Sequence, residues 1–188
     1  MELHLIRHAD AAERGPAYPD DTQRPLTSKG ERQAHALAEA YAQQRSRVDL
    51  LLSSPWLRAW QTAGALAAGA PRGAVALPEL AQGDAALTCA ALMEAARGAA
   101  AAAGVTAAGL AGDGTDSGAA AVRTIAAVGH EPWLSQLAAY LLGAPDAAAA
   151  IVFRKAAVMT LSGELRCGGM RLEAFVPMRL RRRLRADD

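Results

Sequence analysis

Short apolar runs alternate along the chain with longer segments in which apolar residues recur every third or fourth position. The runs predict six β-strands, at residues 2–6, 48–52, 75–77, 124–128, 158–161 and 170–175. The periodic segments predict α-helices that start at residue 27 and that cover 56–68, 84–97 and 133–142. Because uninterrupted apolar strands are typical of sheets covered on both faces, we expect an α/β fold, a three-layer α/β/α sandwich with a mostly parallel central sheet.

The length of 188 residues suits one domain, which we expect to span residues 1–176. Residues 95–121 interrupt the pattern, since 13 of these 27 positions are Ala and six are Gly. With so little bulky surface to bury, much of this insertion is expected to be a flexible loop, with a partial Ala helix as the alternative. The remaining residues, 177–188, form an Arg-rich C-terminal tail.

Composition excludes several classes of protein. The net charge of +1 provides no field that would attract nucleic acid or an acidic membrane, so neither is an expected partner. The two cysteines, Cys89 and Cys167, have no disulfide-framework or metal-site spacing and are interpreted as reduced thiols. The charged N-terminus does not resemble a signal peptide, and no apolar stretch reaches the ~20 residues that span a bilayer. We therefore expect a soluble cytoplasmic protein.

Polar residues follow four of the predicted strands directly. Arg7 and His8 come after the first strand, Arg58 lies in the segment after the second, Glu79 follows the third, and His130 follows the fourth. The carboxyl ends of the strands form the ligand crevice in an open α/β sheet. The sequence therefore predicts that four separate segments deliver two histidines, two arginines and one glutamate to one edge of the sheet.

These residue types are suited to phosphoryl transfer. Arginines bind phosphoryl oxygens through charge-assisted hydrogen bonds and stabilise the charge of the transition state. A neutral imidazole can attack phosphorus and form a covalent phosphohistidine. A second histidine can hold another phosphoryl oxygen. This chemistry requires neither a metal nor a cofactor, and we expect none. A dinucleotide-binding domain is disfavoured, because no GxGxxG motif follows the first strand.

The same segments resemble the histidine phosphatase superfamily, whose fold is phosphoglycerate mutase-like. Leu5-Ile6-Arg7-His8-Ala9 is similar to the family's nucleophile motif, although the family usually has Gly where this chain has Ala9. Five further motif segments follow in the family's order, at residues 24–27, 54–59, 61–62, 77–80 and 129–133. Within the superfamily, the chain most resembles the SixA-type phosphohistidine phosphatases.

The resemblance implies a role for each matching residue. His8 would be the nucleophile, Arg7 and Arg58 would bind the phosphoryl oxygens, and His130 would complete the pocket. Arg24 matches a further anion-binding arginine of the family. Glu79 lies where many members have a proton donor, although a leaving imidazole that is protonated on its other nitrogen needs no strong acid.

The implied activity is hydrolysis through a phosphohistidine enzyme intermediate, with a phosphohistidine protein as the favoured substrate. Two alternatives remain open at this point. A phosphatase for small phosphomonoesters would share all the catalytic residues. A phosphate-binding module without turnover would keep the anion pocket, although an intact His8 argues against it.

Overall fold

One six-stranded sheet forms the centre of the molecule. The computed structural model describes residues 1–43, 47–108 and 122–178. Each strand in it coincides with one of the apolar runs of the sequence. The strands are β1 (Glu2–Arg7), β2 (Leu50–Ser53), β3 (Ala74–Ala76), β4 (Thr124–Gly129), β5 (Val158–Gly163) and β6 (Met170–Val176).

The strand order is β3-β2-β4-β1-β5-β6. The first four strands in this order pair in parallel, whereas β5 pairs antiparallel with both β1 and β6. The predicted mostly parallel sheet is therefore confirmed. Ile6 pairs with Val158, so the start of β5 lies beside the carboxyl end of β1. This edge of the sheet holds the site described below.

Helices cover both faces of the sheet, as expected. They are α1 (Ser28–Gln43), α2 (Leu57–Leu66), α3 (Glu79–Gln82), α4 (Ala85–Ala108) and α5 (Trp133–Leu141), with short 3-10 turns at Asp21–Gln23, Ala67–Gly69 and Pro145–Ala150. One core cluster joins Leu37 of α1 and Ala63 of α2 to the sheet, and the other joins Leu92 of α4 and Leu137 of α5 to its opposite side. The layers are thus α/β/α.

The Ala-rich segment is more helical than the expected loop. Helix α4 extends to Ala108, and its first half packs into the core through the fully buried Leu92 and the nearly buried Cys89. Alanine has the highest helix propensity of all residues, so the run propagates once this half is docked. Residues 109–121 of the insertion and residues 179–188 of the Arg-rich tail lie outside the described residues.

The segment after β1 is held against the start of α1. Thr27 caps the helix, because its Oγ1 accepts a hydrogen bond from the Gly30 amide at 3.1 Å and donates one to Asp10 Oδ2 at 2.9 Å. A Cβ added at Gly30 would lie 1.9 Å from the Asp10 carbonyl oxygen. Only glycine therefore allows this close approach, which places the loop that follows His8.

No helix within the described ranges combines the length and the apolar character needed to cross a bilayer.

Candidate active site

Backbone hydrogen bonds gather three polar segments at the carboxyl ends of the parallel strands. The His8 amide donates to the Gly129 carbonyl at 3.1 Å, and the Ser54 amide donates to the Val128 carbonyl at 2.9 Å. These bonds extend the strand ladders by one residue beyond β1 and β2. The side chains of His8 and His130 thereby come together, with ring centroids 5.0 Å apart. The convergence that the sequence predicted for these two residues is confirmed.

The His8 ring presents one nitrogen to the site and one to the backbone. Its Nδ1 lies 2.7 Å from the carbonyl oxygen of Ala9. Since a carbonyl oxygen only accepts, Nδ1 carries the proton, and the lone pair is on Nε2. Two cationic groups face this Nε2: Arg58 Nε at 3.3 Å and Lys155 Nζ at 3.4 Å. The ring is thus oriented with its nucleophilic nitrogen toward positive charge.

The environment keeps His8 neutral. Its side chain is almost fully buried, and burial together with the charge of Lys155 lowers the pKa of His8 to about 2. An imidazole with this pKa retains its nucleophilic lone pair throughout the physiological pH range. The same charges that suppress protonation would attract a phosphoryl dianion.

His130 is the second buried imidazole of the site. Its Nε2 lies 2.8 Å from Ser54 Oγ, which also accepts a hydrogen bond from the Trp56 amide at 3.2 Å. Burial and the charge of Arg58 lower the pKa of His130 to about 3. Its Nδ1 is buried and has no hydrogen-bond partner among the described residues. When the Ser54 hydroxyl donates to Nε2, this Nδ1 bears the proton and becomes a free donor for an anion.

Arg58 lies in the first turn of α2, and its guanidinium is held by several contacts. Its guanidinium stacks 4.7 Å from the Trp56 ring centroid, and its two terminal nitrogens donate to the Asp21 backbone oxygen at 2.7 Å and to Asp21 Oδ2 at 3.0 Å. Its remaining nitrogen, Nε, faces His8. Burial lowers the pKa of Arg58, but an arginine stays charged at neutral pH.

Asp21 links Arg58 to Arg24. The Arg24 Nε donates to Asp21 Oδ1 at 2.7 Å, and the exposed Arg14 contacts the same oxygen at 3.0 Å. Partial burial opposes ionisation, but the hydrogen bonds from Arg14 and Arg24 and the charge of Arg58 hold the pKa of Asp21 well below its usual range. Among the described residues, no hydrogen bond joins Arg24 to His8. Arg24, the predicted anion-binding residue, is therefore linked to Arg58 and His8 indirectly, through Asp21.

Arg7 is held from the opposite side by the segment before β5. Its Nη1 donates to the Phe153 carbonyl at 2.6 Å, while the Phe153 amide donates to Glu131 Oε1 at 3.0 Å. Burial lowers the pKa of Arg7, and the Glu131 carboxylate opposes this effect. The Arg7 Nε is buried without a partner in the described part of the chain. It is a second donor that an anion would satisfy.

Glu79 begins α3, after β3, as the sequence predicted. Its Oε2 is buried and lacks a hydrogen-bond partner within the described ranges. No hydrogen bond or ion pair in the same ranges joins Glu79 to His8, Arg58 or His130. The structure therefore brings Glu79 to the correct edge of the sheet without giving it a contact to the two imidazoles.

Three site residues were not predicted. Lys155, Glu131 and Asp21 were not assigned roles, although residues 129–133 were recognised as a motif. Asp21 carried a usable signal, because it stands three residues before Arg24 in the Arg24-Pro25-Leu26-Thr27 motif. Within the described ranges, no three His, Cys, Asp or Glu side chains are grouped as a metal site requires.

The chain belongs to the histidine phosphatase superfamily, branch 1, whose family model matches residues 3–102. Among curated proteins, an uncharacterised protein from a Picosynechococcus species is 46% identical over 68 residues. That match covers 36% of this chain and 41% of the relative, so it spans about two fifths of the relative's length.

Solved structures share the fold over nearly the whole chain. The protein histidine phosphatase SixA in complex with tungstate is 24% identical, with a TM-score of 0.69 and coverage of 96% of this chain and 99% of that one. A mycobacterial glucosyl-3-phosphoglycerate phosphatase in complex with VO3 is 23% identical, with a TM-score of 0.59 and coverage of 94% and 99%. An Entamoeba histolytica phosphoserine phosphatase variant in complex with phosphoserine is 17% identical, with a TM-score of 0.58 and coverage of 94% and 97%. The predicted histidine phosphatase fold is confirmed.

Proposed function

We propose that the chain is a phosphatase that hydrolyses its substrate through a phosphohistidine formed on His8. The observation that carries this proposal is the state of the His8 ring. It is neutral and buried, its Nδ1 proton is committed to the Ala9 carbonyl, and its Nε2 faces Arg58 Nε at 3.3 Å. This is the arrangement that a nucleophile toward phosphorus requires.

In the first step, the Nε2 lone pair attacks phosphorus. The new P–N bond forms as the bond from phosphorus to the leaving atom breaks, and the leaving atom keeps the bonding electron pair. The His8 ring becomes positively charged, and its Nδ1–H bond to the Ala9 carbonyl stabilises that charge. Arg58, Arg7 and the free Nδ1 of His130 supply donors for the three nonbridging oxygens of the transition state.

In the second step, water attacks the phosphohistidine on the side that the leaving group has vacated. The P–N bond breaks and its electron pair returns to Nε2. Phosphate departs with the oxygen and both protons of the water, as dihydrogen phosphate. The Nδ1 proton does not need to move in either step. His8 therefore returns directly to the neutral form that the site favours.

A phosphohistidine on a protein is the substrate we favour. The leaving group is then an imidazole, which departs as a neutral molecule when its other nitrogen is protonated. Such a substrate needs little help from a general acid. The motif resemblance to the SixA type supports the same choice.

A small phosphomonoester is the second candidate. The fold is shared with a phosphoserine phosphatase and a glucosyl-3-phosphoglycerate phosphatase. Hydrolysis of a small ester by this chain would use the same nucleophile, His8. An alkoxide leaving group needs a proton, and the unpartnered carboxyl oxygen of Glu79 is the group at this edge that could supply it. Turnover of such esters would therefore depend on Glu79.

Two measurements test the proposal. Incubation with a labelled phosphohistidine protein should give an acid-labile, base-stable phosphoenzyme, which His8→Ala abolishes and His35→Ala, at an exposed histidine, retains. An active His8→Ala variant would end the nucleophile assignment. Comparison of kcat/KM on the phosphohistidine protein and on a panel of sugar and amino-acid phosphates tests the substrate. A many-fold preference for the small esters, together with a large loss in Glu79→Gln, would favour the second candidate.

A further inference from the structure

Lys155 reaches the site from a turn that precedes β5. The Ala157 amide donates to the Arg154 carbonyl at 2.9 Å, which closes a four-residue turn with Lys155 and Ala156 at its centre. The Ala156 amide in turn donates to the carbonyl oxygens of Arg7 at 3.2 Å and of His8 at 3.3 Å. The turn is therefore bonded directly to the backbone that carries His8.

The backbone of this turn is under strain. Ala156 has a φ of 57°, in the left-handed region that residues with a Cβ rarely adopt, and it is the only non-glycine residue with positive φ in the described ranges. Strain of this kind persists where the surrounding contacts impose it, and it concentrates at functional sites. The strained residue directly follows Lys155, whose Nζ lies 3.4 Å from His8 Nε2.

The Lys155 ammonium lacks a counterion. Its side chain is half-buried, its Nζ lies 3.4 Å from His8 Nε2, and no carboxylate in the described part of the chain forms an ion pair with it. The charged and titratable groups that surround it are Arg7, Arg58, Arg24, His8 and His130, with Asp10 as the acidic group whose charge acts on it. A half-buried cation among other cations is stabilised by an anion bound beside it.

We propose that Lys155 is a further catalytic residue, whose ammonium leaves His8 Nε2 when substrate binds and donates to a nonbridging oxygen of the phosphoryl group. This role rests on the proposed function of His8 as nucleophile. A group beside the attacking nitrogen lies next to the three oxygens around phosphorus, whereas the leaving atom lies on the far side of phosphorus in an in-line attack. Lys155 therefore binds the phosphoryl group and does not protonate the leaving group.

The protonated form is the one that binds. Burial and the charges of Arg7 and Arg58 lower the pKa of Lys155 to about 8 in the free protein. The value of kcat/KM, which reports the free enzyme, should therefore fall as the pH rises through about 8. A bound phosphoryl dianion raises the pKa of the ammonium, so kcat should fall only at higher pH.

The test compares Lys155→Met and Lys155→Arg with Arg154→Met, which removes the neighbouring exposed cation of the same turn. The readouts are phosphorylation of His8 by phosphoramidate, the affinity for orthovanadate, and the pH profile of kcat/KM. We expect Lys155→Met to lower kcat/KM by about 100-fold, as loss of one transition-state donor does, and to weaken vanadate binding at least tenfold. Lys155→Arg should restore most of kcat/KM and of the vanadate affinity, and it should remove the decline of kcat/KM near pH 8. Arg154→Met should stay within about twofold of the wild type.

Several results would overturn the proposal. One is a Lys155→Met variant whose kcat/KM and vanadate affinity both stay within about threefold of the wild type. Another is a decline of kcat/KM near pH 8 that persists in Lys155→Arg. This second result decides the question if Lys155→Met does not fold. A Lys155→Met defect that grows with the basicity of the leaving group would instead indicate a general acid. If the wild type forms no phosphoenzyme but its vanadate affinity depends on Lys155, the anion-binding role stands and the proposed function fails. If the wild type forms a phosphoenzyme and Lys155→Met forms it equally well, the proposed function stands and the role of Lys155 fails.

Discussion

Acid should destabilise the protein through the two buried histidines of the site. The folded state keeps His8 and His130 neutral, with pKa values of about 2 and about 3. An unfolded chain exposes both rings, whose pKa then approaches the ordinary value of about 6.5. The unfolded state therefore binds more protons than the folded state below that value. Stability contributed by the neutral rings is complete above about pH 6.5 and is lost as the pH falls toward the folded pKa values.

The size of this effect between pH 7 and pH 5 depends almost entirely on the unfolded state. The folded pKa values lie so far below pH 5 that neither ring protonates in the native protein. Protonation of one unfolded imidazole over this interval contributes about 2 kcal/mol, so the two rings together should lower the free energy of unfolding by about 4 kcal/mol. This is a large share of the ~5–15 kcal/mol that stabilises an ordinary domain.

The measurement is urea unfolding at both pH values in buffers free of phosphate. In His8→Asn, whose amide can still donate to the Ala9 carbonyl, the loss of stability between pH 7 and pH 5 should be about 2 kcal/mol smaller than in the wild type. His35→Asn replaces an exposed histidine and should keep the wild-type loss. If His8→Asn lost as much stability as the wild type, the folded protein would already protonate His8 at pH 5, and the nucleophile would not be held neutral by its surroundings.

Two further substitutions test the supports of the site. Gly30→Ala should lower the free energy of unfolding by about 1–3 kcal/mol, because the added Cβ would meet the Asp10 carbonyl oxygen. The control is Gly64→Ala, which should not destabilise the protein because nothing lies within 4 Å of the added Cβ. Equal urea midpoints for the two variants would contradict the close approach of Gly30 to Asp10. Ser54→Ala should reduce kcat/KM about tenfold, because one hydrogen bond that orients His130 is lost. It should also lower the free energy of unfolding by about 1–3 kcal/mol, because His130 Nε2 and the Trp56 amide lose their partner. Unchanged steady-state kinetics would show that Ser54 does not orient this ring.

The parallel part of the sheet was predictable because its signals are local. Uninterrupted apolar runs such as the one that became β4 identify buried strands, and the polar residues that follow them mark one edge. His8, Arg58 and His130 were placed together on this basis. The length of α4 was underestimated, because an Ala-rich composition indicates little burial even where its helix propensity is high.

Lys155 was missed for a topological reason. The rule that ligands bind at the carboxyl ends of strands applies to parallel strands, and Lys155 precedes a strand. Because β5 runs antiparallel to β1, its beginning lies at the same edge as the end of β1. The direction of β5 depends on pairing with a strand far away in sequence, and apolar periodicity contains no information about that direction. Asp21 was missed because its three arginine partners lie in loops and in α2, and contacts of this kind leave no periodic pattern in the sequence.

Strand β1, one of the two central strands of the sheet, is synthesised long before both of its neighbours, β4 and β5. Leu3 of β1 pairs with Ile125 on one side and with Leu161 on the other. The ribosome therefore releases the His8 segment long before either flanking strand exists, and contacts between such distant parts of a chain form slowly. A nascent or truncated chain that ends before β5 would leave one edge of this apolar strand unpaired, which favours aggregation. Competence for catalysis should thus arise in a single late event, when the C-terminal strands join the sheet.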